Sequence, residues 1–221
     1  MKFTFIVICY NRKQYLDNCL KAMHDQRIPE MEMIVISDGG EDFSDVAEKY
    51  GAQYYTTKES YGSLTGINIG IRKAKGEYVI ITDADRVVGK DFLKELSKAI
   101  KRYPFAIYAS SSGRRVGFRD SGCIWSPIHC MKKSFLMELG GYDERARGYQ
   151  GDDVDLVNRF KMAGLSQCWI GVEIRHQEHP RRDKGREIRQ GLWIERIDVY
   201  KDNLENNRII VNQGKEWGLN I

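Results

Sequence analysis

An α/β fold, built on a mainly parallel sheet with helices on both faces, is what this 221-residue chain predicts. Over about the first hundred residues, short apolar β-rich runs alternate with stretches whose apolar residues recur at helical spacing. The fourth of these runs, Tyr78 to Thr82, is nearly continuous in apolar residues, as a strand buried on both faces must be. Polar clusters follow the strands, at the edge where open parallel sheets bind their ligands.

Each element follows from its own pattern. Phe3 to Cys9 is a strand, and Tyr15, Leu16, Cys19, Leu20 and Met23 form the stripe of a helix after it. Met31 to Ile36 is the second strand, followed by a helical stripe of Phe43, Val46, Ala47 and Tyr50. Ala52 to Thr56 is a short third strand, and Leu64, Ile67, Ile71 and Ala74 mark a helix. After Tyr78 to Thr82, the residues Phe92, Leu93, Leu96, Ala99 and Ile100 line another helix. In the second half Ala106 to Ser110, Cys123 to Lys132 and Gln167 to Ile174 are expected strands, and Asp152 to Ala163 a helix with Val154, Val157 and Phe160 inward. A last helical pattern runs through Ile188, Leu192, Ile197, Tyr200 and Leu204. No Pro-, Gly- or Ser-rich linker and no internal repeat divides the chain.

Composition excludes several classes. With 42% hydrophobic and 30% charged residues and four prolines, the chain is neither disordered, collagenous nor a coiled coil. A chain of this length buries roughly 70 to 75% of its unfolded surface, so no disulfide or structural metal is required to hold it. The net charge of +4 is too small and too evenly spread to predict nucleic acid as a partner. One segment departs from that evenness: Arg175 to Arg189 carries six Arg or Lys residues against three carboxylates, with His176 and His179, a composition suited to a phosphorylated ligand. The five cysteines (Cys9, Cys19, Cys123, Cys130, Cys168) have neither CxxC nor zinc-ribbon spacing and are expected to be reduced, in the cytoplasm. Phe3 to Ile8 is too short for a signal h-region, and no run approaches the roughly 18 apolar residues of a spanning helix, so membrane contact is expected to be peripheral at most.

The chemistry-bearing residues sit at the strand ends: Tyr10-Asn11-Arg12 after the first strand, Ser37-Asp38-Gly39-Gly40 after the second, and Asp83-Ala84-Asp85 after the fourth. Carboxylates one residue apart, as in Asp83 and Asp85, can hold one hard cation against a diphosphate, and serve equally as turn or N-cap residues. Asp38 before two glycines most simply marks a tight turn. Asp152-Asp153-Val154-Asp155 opens a helix, where the dipole favours acids; Asp152 and Asp153 point about 100° apart, so they have different duties. Asp155 and Arg159 have the spacing of an ordinary helix-surface pair. His176 lies just past a strand, where a lone histidine is more often structural than a ligand. Trp125, Tyr149 and Trp169 are core or rim aromatics, and sugars stack on such rings. There is no GxGxxG after a strand, no GxxxxGK[ST] and no GxSxG.

Taken in order, these clusters resemble the family 2 glycosyltransferases of GT-A fold, from Phe3 to about His176. Val7-Ile8-Cys9-Tyr10-Asn11-Arg12 is similar to the opening strand and nucleotide loop, and Ile36-Ser37-Asp38-Gly39-Gly40 to the second loop, usually Asp-Asp-Gly-Ser. Gly66-Ile67-Asn68-Ile69-Gly70 and Ala74-Lys75-Gly76-Glu77-Tyr78 match the approach to the DXD motif, Asp83-Ala84-Asp85. The second half resembles the portion shared by β-1,4-galactosyltransferases, polypeptide N-acetylgalactosaminyltransferases and chondroitin polymerases. Its markers are Met131-Lys132-Lys133, Gly140-Gly141-Tyr142-Asp143, the WGGED-like Gly148 to Asp155, and Ile174-Arg175-His176. Ser37 departs from the pattern where an aspartate is usual, and Ile67 where an arginine often precedes the asparagine.

The resemblance implies a residue-by-residue site. Asp85 and His176 ligate a cation, Mn²⁺ with Mg²⁺ as the alternative, and Asp83 holds the ribose and diphosphate side. Tyr10, Asn11, Arg12 and Asp38 frame the uridine, with Asn68 on the donor side. Asp153 is the base, Asp152 holds the acceptor and Tyr149 is the platform beneath the acceptor sugar. The implied reaction is inverting transfer of a hexose or N-acetylhexosamine from a UDP-sugar to a hydroxyl of a glycan, glycolipid, protein or small molecule, with galactose-type donors favoured. The loop from Arg175 to Arg189, hinged at Gly185, would close over the diphosphate. The implied organisation is a GT-A domain over 1–180, divided into a nucleotide half (1–110) and an acceptor half (111–180) with a small antiparallel portion, then a basic loop and C-terminal helical extension (181–221). The rivals are a sugar-1-phosphate nucleotidyltransferase, whose glycine-rich N-terminal loop is missing here, and a non-catalytic nucleotide- or glycan-binding module of the same fold.

Overall fold

In β1 (Phe3–Cys9), Phe3, Phe5, Val7 and Cys9 face one layer and Ile6 and Ile8 the other, and this alternation divides the molecule into two cores. The computed structural model describes residues 2–26, 28–111, 117–118, 126, 128–146, 152–179 and 198–218. On the first face lie α1 (Lys13–His24), α2 (Ser44–Lys49) and α4 (Phe92–Arg102), which bury Leu16, Leu20, Met23, Val46, Phe92, Leu93 and Leu96. On the second lie α3 (Ser63–Lys73), α5 (Lys133–Glu138) and α6 (Asp152–Met162), with Leu64, Ile67, Ile71, Leu136, Leu156 and Phe160 turned inward. Each such Leu, Ile or Phe contributes about 1.5–3 kcal/mol by leaving water.

The sheet joins β1 to β2 (Met31–Ser37), β3 (Gln53–Thr56), β4 (Tyr78–Asp83), β6 (Ala106–Ser111), β7 (Gly117–Phe118), β8 (Ile128–Lys132) and β9 (Ser166–Gly171). Their order is β3-β2-β1-β4-β8-β6-β9-β7, and only β8 and β7 run against the rest. A separate antiparallel ribbon pairs β5 (Arg86–Val88) with β10 (Ile174–His176). The expected strand over Gln167 to Ile174 is thus two strands: the chain leaves the sheet after Gly171 and re-enters pairing at Ile174 in the ribbon. Residues 198–205 are helical. Cys123, Trp125, Tyr149 and the segment 180–197, with Gly185 and most of the basic run, lie outside the described residues.

Two glycines set how closely α3 approaches the sheet. A Cβ on Gly70 would stand 2.5 Å from Ile6 Cγ2, and one on Gly66 would run into Ile8 Cδ1. Bare backbone at both turns therefore seats the helix directly on β1.

Asp155 and Arg159 are not the surface pair that their spacing suggests. Arg159 is 0% exposed; its Nε donates to Asp155 Oδ2 at 2.8 Å, its Nη2 to Gly141 O at 2.8 Å and its Nη1 to Leu139 O at 3.2 Å. Asn203 Nδ2 donates to both Asp155 Oδ1 (2.8 Å) and Asp143 Oδ2 (3.0 Å), joining the 198–205 helix to α6 and to the turn after α5. Burial pushes the Asp143 carboxyl up, but hydrogen bonds from Arg145 and Asn203 outweigh it and hold the group below its usual range. Residues beyond the helix are fastened as well: Val211 N donates to Leu139 O (3.1 Å), Asn212 Nδ2 to Tyr142 O (2.7 Å) and Arg72 Nη1 to Trp217 O (2.5 Å). Val199, Ile209 and Trp217 of this stretch pack against the second core.

Candidate active site

Parallel register brings the predicted clusters to one edge of the sheet. Cys9 pairs with Ser37 and Ile8 with Asp83, so the loops that follow β1, β2 and β4 leave the sheet side by side. Ser37 is buried; its Oγ donates to Glu41 O at 3.0 Å, and Glu41 N donates to Asn11 Oδ1 at 3.1 Å, which ties the first two loops together. Asn11 has φ +50°, a conformation that asparagine tolerates better than most residues. Tyr10 stands exposed beside it.

Asp38 is buried and turned toward the chain itself. It accepts hydrogen bonds from Ser60 Oγ (2.7 Å), Tyr61 N (2.9 Å) and Gly62 N (3.0 Å), and so fixes the loop entering α3. Asn68 is also inward: its amide donates to Tyr142 O (2.9 Å) and Glu144 Oε1 (3.0 Å), and its Oδ1 accepts from Tyr142 N (2.9 Å). The structure therefore brings Tyr10, Asn11, Arg12, Asp83 and Asp85 to the crevice edge, and gives Asp38 and Asn68 the work of positioning loops.

The β5–β10 ribbon carries the histidine segment to the acidic turn. Asp83 ends β4 with its side chain exposed, and Asp85 immediately precedes β5. His176 pairs with Arg86 across the ribbon, and Gln177 N donates to Asp85 O at 2.8 Å. Gln177 also anchors on α1, its Nε2 donating to Tyr15 O (2.9 Å) and its Oε1 accepting from Asn18 Nδ2 (2.8 Å). Asp85 Oδ2 consequently lies 3.5 Å from His176 Nε2 and 3.0 Å from His179 Nε2. Arg12 Nη1 contacts both Asp85 Oδ2 and His179 Nε2. Sequence reasoning placed Asp85 and His176 together but missed His179, whose signal was the His-x-x-His spacing at the end of a strand.

Asp85, His176 and His179 each offer one ligand atom, all within 4.8 Å of one another. Their chemistry fits a divalent ion. Among the described residues, Asp85 Oδ1 is buried with no hydrogen-bond partner and has an ion-pair contact to Arg86 Nε at 3.3 Å. One carboxylate with two imidazoles suits Mn²⁺ better than Mg²⁺, which favours all-oxygen surroundings.

Asp153 stands at the start of α6, 22% exposed, with Oδ1 3.5 Å from His129 Nδ1. His129 is buried on β8 and pairs with Ile81, two residues before Asp83, so the pair belongs to the same edge of the sheet as the acidic turn. His129 is a second residue the sequence did not single out, being one polar position inside an apolar strand. Tyr149 and the side chain of Asp152 lie outside the described residues. Cys9, under the first loop, is unsuited to nucleophilic work: burial pushes its thiol up to about 12.

Comparison with known proteins shows the fold and the family. The chain is 30% identical over 107 residues to the glycosyltransferase GlyA of Streptococcus pneumoniae serotype 4, covering 46% of this chain and 15% of that protein. It is 28% identical over 239 residues to the poly-β-1,6-N-acetyl-D-glucosamine synthase of Staphylococcus aureus strain COL, covering 88% of this chain and 52% of the synthase. The chain thus spans about half or less of these relatives. Among solved structures, S. aureus TarS superposes with a TM-score of 0.69 at 18% identity, over 93% of this chain and 40% of TarS. The mannosyltransferase PcManGT from Pyrobaculum calidifontis, in complex with GDP-Man and Mn²⁺, gives 0.69 at 19% identity, over 91% of this chain and 64% of that one. The fold is therefore GT-A, with the six co-directional strands and flanking helices described above. The family model for glycosyl transferase family 2 matches residues 4–145, well over half the chain and all three crevice loops, and the chain belongs to that family.

Proposed function

We propose that this chain transfers a hexose or N-acetylhexosamine from a UDP-sugar to an acceptor hydroxyl, with inversion and with a divalent cation. The observation that carries this reading is the Asp85–His176–His179 cluster, held by the ribbon at the crevice edge of the parallel sheet. Uridine as the nucleoside is supported by TarS, which has been solved with UDP and with UDP-GlcNAc. The name of the poly-β-1,6-N-acetyl-D-glucosamine synthase supports a glycan acceptor. Four buried free cysteines, Cys9, Cys19, Cys130 and Cys168, suit a reducing cytoplasmic setting, and no described helix is long and apolar enough to cross a membrane.

Each group has a chemical duty. Asp85, His176 and His179 would hold the cation, which supplies charge neutralisation on the departing diphosphate. Asp83, exposed at the end of β4, faces the ribose and diphosphate side, and Tyr10 and Asn11 the base. Asp153 takes the proton of the acceptor hydroxyl as its oxygen bonds to the anomeric carbon from the face opposite the diphosphate. The bond from that carbon to the diphosphate oxygen breaks, and its electron pair leaves with UDP. His129, beside Asp153 Oδ1, keeps the carboxylate oriented. Asp152, the first residue of α6, and Tyr149, three positions earlier in the sequence, are assigned to the acceptor.

The reading is tested by Mn²⁺ titration calorimetry in the presence of UDP. Asp85→Ala is expected to abolish Mn²⁺ binding and His179→Ala to weaken it at least about tenfold, the scale on which loss of a ligand or its partner acts. Unchanged Mn²⁺ affinity in both variants would reject the metal site.

A further inference from the structure

A cation already stands between two members of the candidate ligand set. Arg12 Nη1 touches Asp85 Oδ2 and His179 Nε2 at once, so the guanidinium fills the place between the carboxylate and the nearer imidazole. Asp85 is the single carboxylate of the cluster, and Arg86 Nε also lies 3.3 Å from its other oxygen. A divalent ion entering between these ligands meets a like charge within a few ångströms, in a setting that screens it far less than bulk water. Arg12 and the ion therefore exclude one another.

The backbone of Arg12 cannot yield, but its side chain can. Its carbonyl accepts from Tyr15 N (3.0 Å) and Leu16 N (3.3 Å) in the first turn of α1, so the main chain is fixed. The side chain is 36% exposed and opens on the crevice edge beside Asn11. A rotation about its side-chain torsions removes the guanidinium from Asp85 and turns it into the space beside the loops after β1 and β2. A nucleoside diphosphate bound there offers phosphate oxygens in the geometry that a guanidinium fork prefers.

We infer that Arg12 is an internal counter-ion that competes with the divalent cation for Asp85 and His179, and that the donor's diphosphate relieves the competition by taking the guanidinium. This rests on the metal site proposed above. It makes cation binding weak without donor and strong with it, a coupling that is reciprocal: the cation raises donor affinity by the same factor. The site is thereby kept from filling with cation in the absence of donor.

The test is calorimetric titration of Mn²⁺ into the wild type, Arg12→Gln and Arg12→Lys, each with and without UDP, with Mn²⁺–UDP complexation measured separately and subtracted. Without UDP, Arg12→Gln should bind Mn²⁺ about tenfold or more tightly than the wild type, and UDP should then improve its Mn²⁺ affinity by a smaller factor than in the wild type. Arg12→Lys, which keeps the charge, should bind Mn²⁺ alone as weakly as the wild type. Thermal melts establish that each variant is folded, with Arg12→Met as a second neutral replacement. Mn²⁺ affinity without UDP that is equal to the wild type, or weaker, in the folded neutral variants would overturn the inference while leaving the metal site standing. Mn²⁺ bound by neither wild type nor variants, with or without UDP, would overturn both.

Discussion

Asp153→Asn is expected to lower the rate of sugar transfer about 10²- to 10⁴-fold and to leave UDP binding unchanged. The substitution keeps the shape of the side chain, which lies 3.5 Å from His129 Nδ1 in the wild type, and removes its negative charge and with it the capacity to take a proton. That capacity matters as the acceptor oxygen attacks and not before, so the loss falls on kcat rather than on donor KM. The interval corresponds to about 2.7 to 5.4 kcal/mol of barrier. The measurement is a pair: initial rates of transfer, and UDP affinity by calorimetry with Mn²⁺ present. A parallel fall in both would mean that Asp153 supports the structure of the crevice and is not the base.

The largest expected effect on stability belongs to Arg159→Leu, about 3–5 kcal/mol. Arg159 is fully buried, and its guanidinium meets Asp155, Gly141 O and Leu139 O. Leucine leaves the buried Asp155 carboxylate with only Asn203 Nδ2 as a donor among the described residues, and it strips Gly141 O of the Arg159 donor while Leu139 O keeps only Val211 N. For a chain of this length the loss amounts to a fall of about 6 to 20 °C in Tm. Arg159→Lys should recover little, because an ammonium cannot reproduce the planar fork. The double change Asp155→Leu with Arg159→Leu should recover part of the loss, since no unpaired charge then remains. Urea unfolding of the three variants decides it. A cost below about 1 kcal/mol for Arg159→Leu would mean that water reaches Asp155 and that the network is not sealed.

What the sequence made legible was whatever depends on short-range pattern. The alternation that sends Phe5 and Val7 to one core and Ile6 and Ile8 to the other is written into β1, and the acidic turn follows directly because Asp83 ends an apolar run. The illegible features are those decided by distant partners. β5 is three residues long and is a strand because residues 174–176 pair with it. His179 reaches Asp85 because Gln177 is anchored on α1 and on Asp85 O, contacts that no local window contains. The Asp155–Arg159 spacing is the same on a wet helix face and in a core, and it is residues from Asn203 onward that decide for burial. Asn68 shares a motif with donor-side residues, yet the segment at Tyr142 claims both ends of its amide.

Thermal unfolding against a panel of UDP, UDP-sugars, GDP and GDP-sugars, each with Mn²⁺ and with a chelator, tests the central claim most directly. A ligand present at a hundred times its Kd adds about 2.7 kcal/mol, a rise of about 5 to 10 °C in Tm for a chain of this length. The account predicts such a rise for UDP and at least one UDP-sugar with Mn²⁺, and its loss with the chelator. No rise with any nucleotide, or a rise of equal size with the chelator, would contradict it.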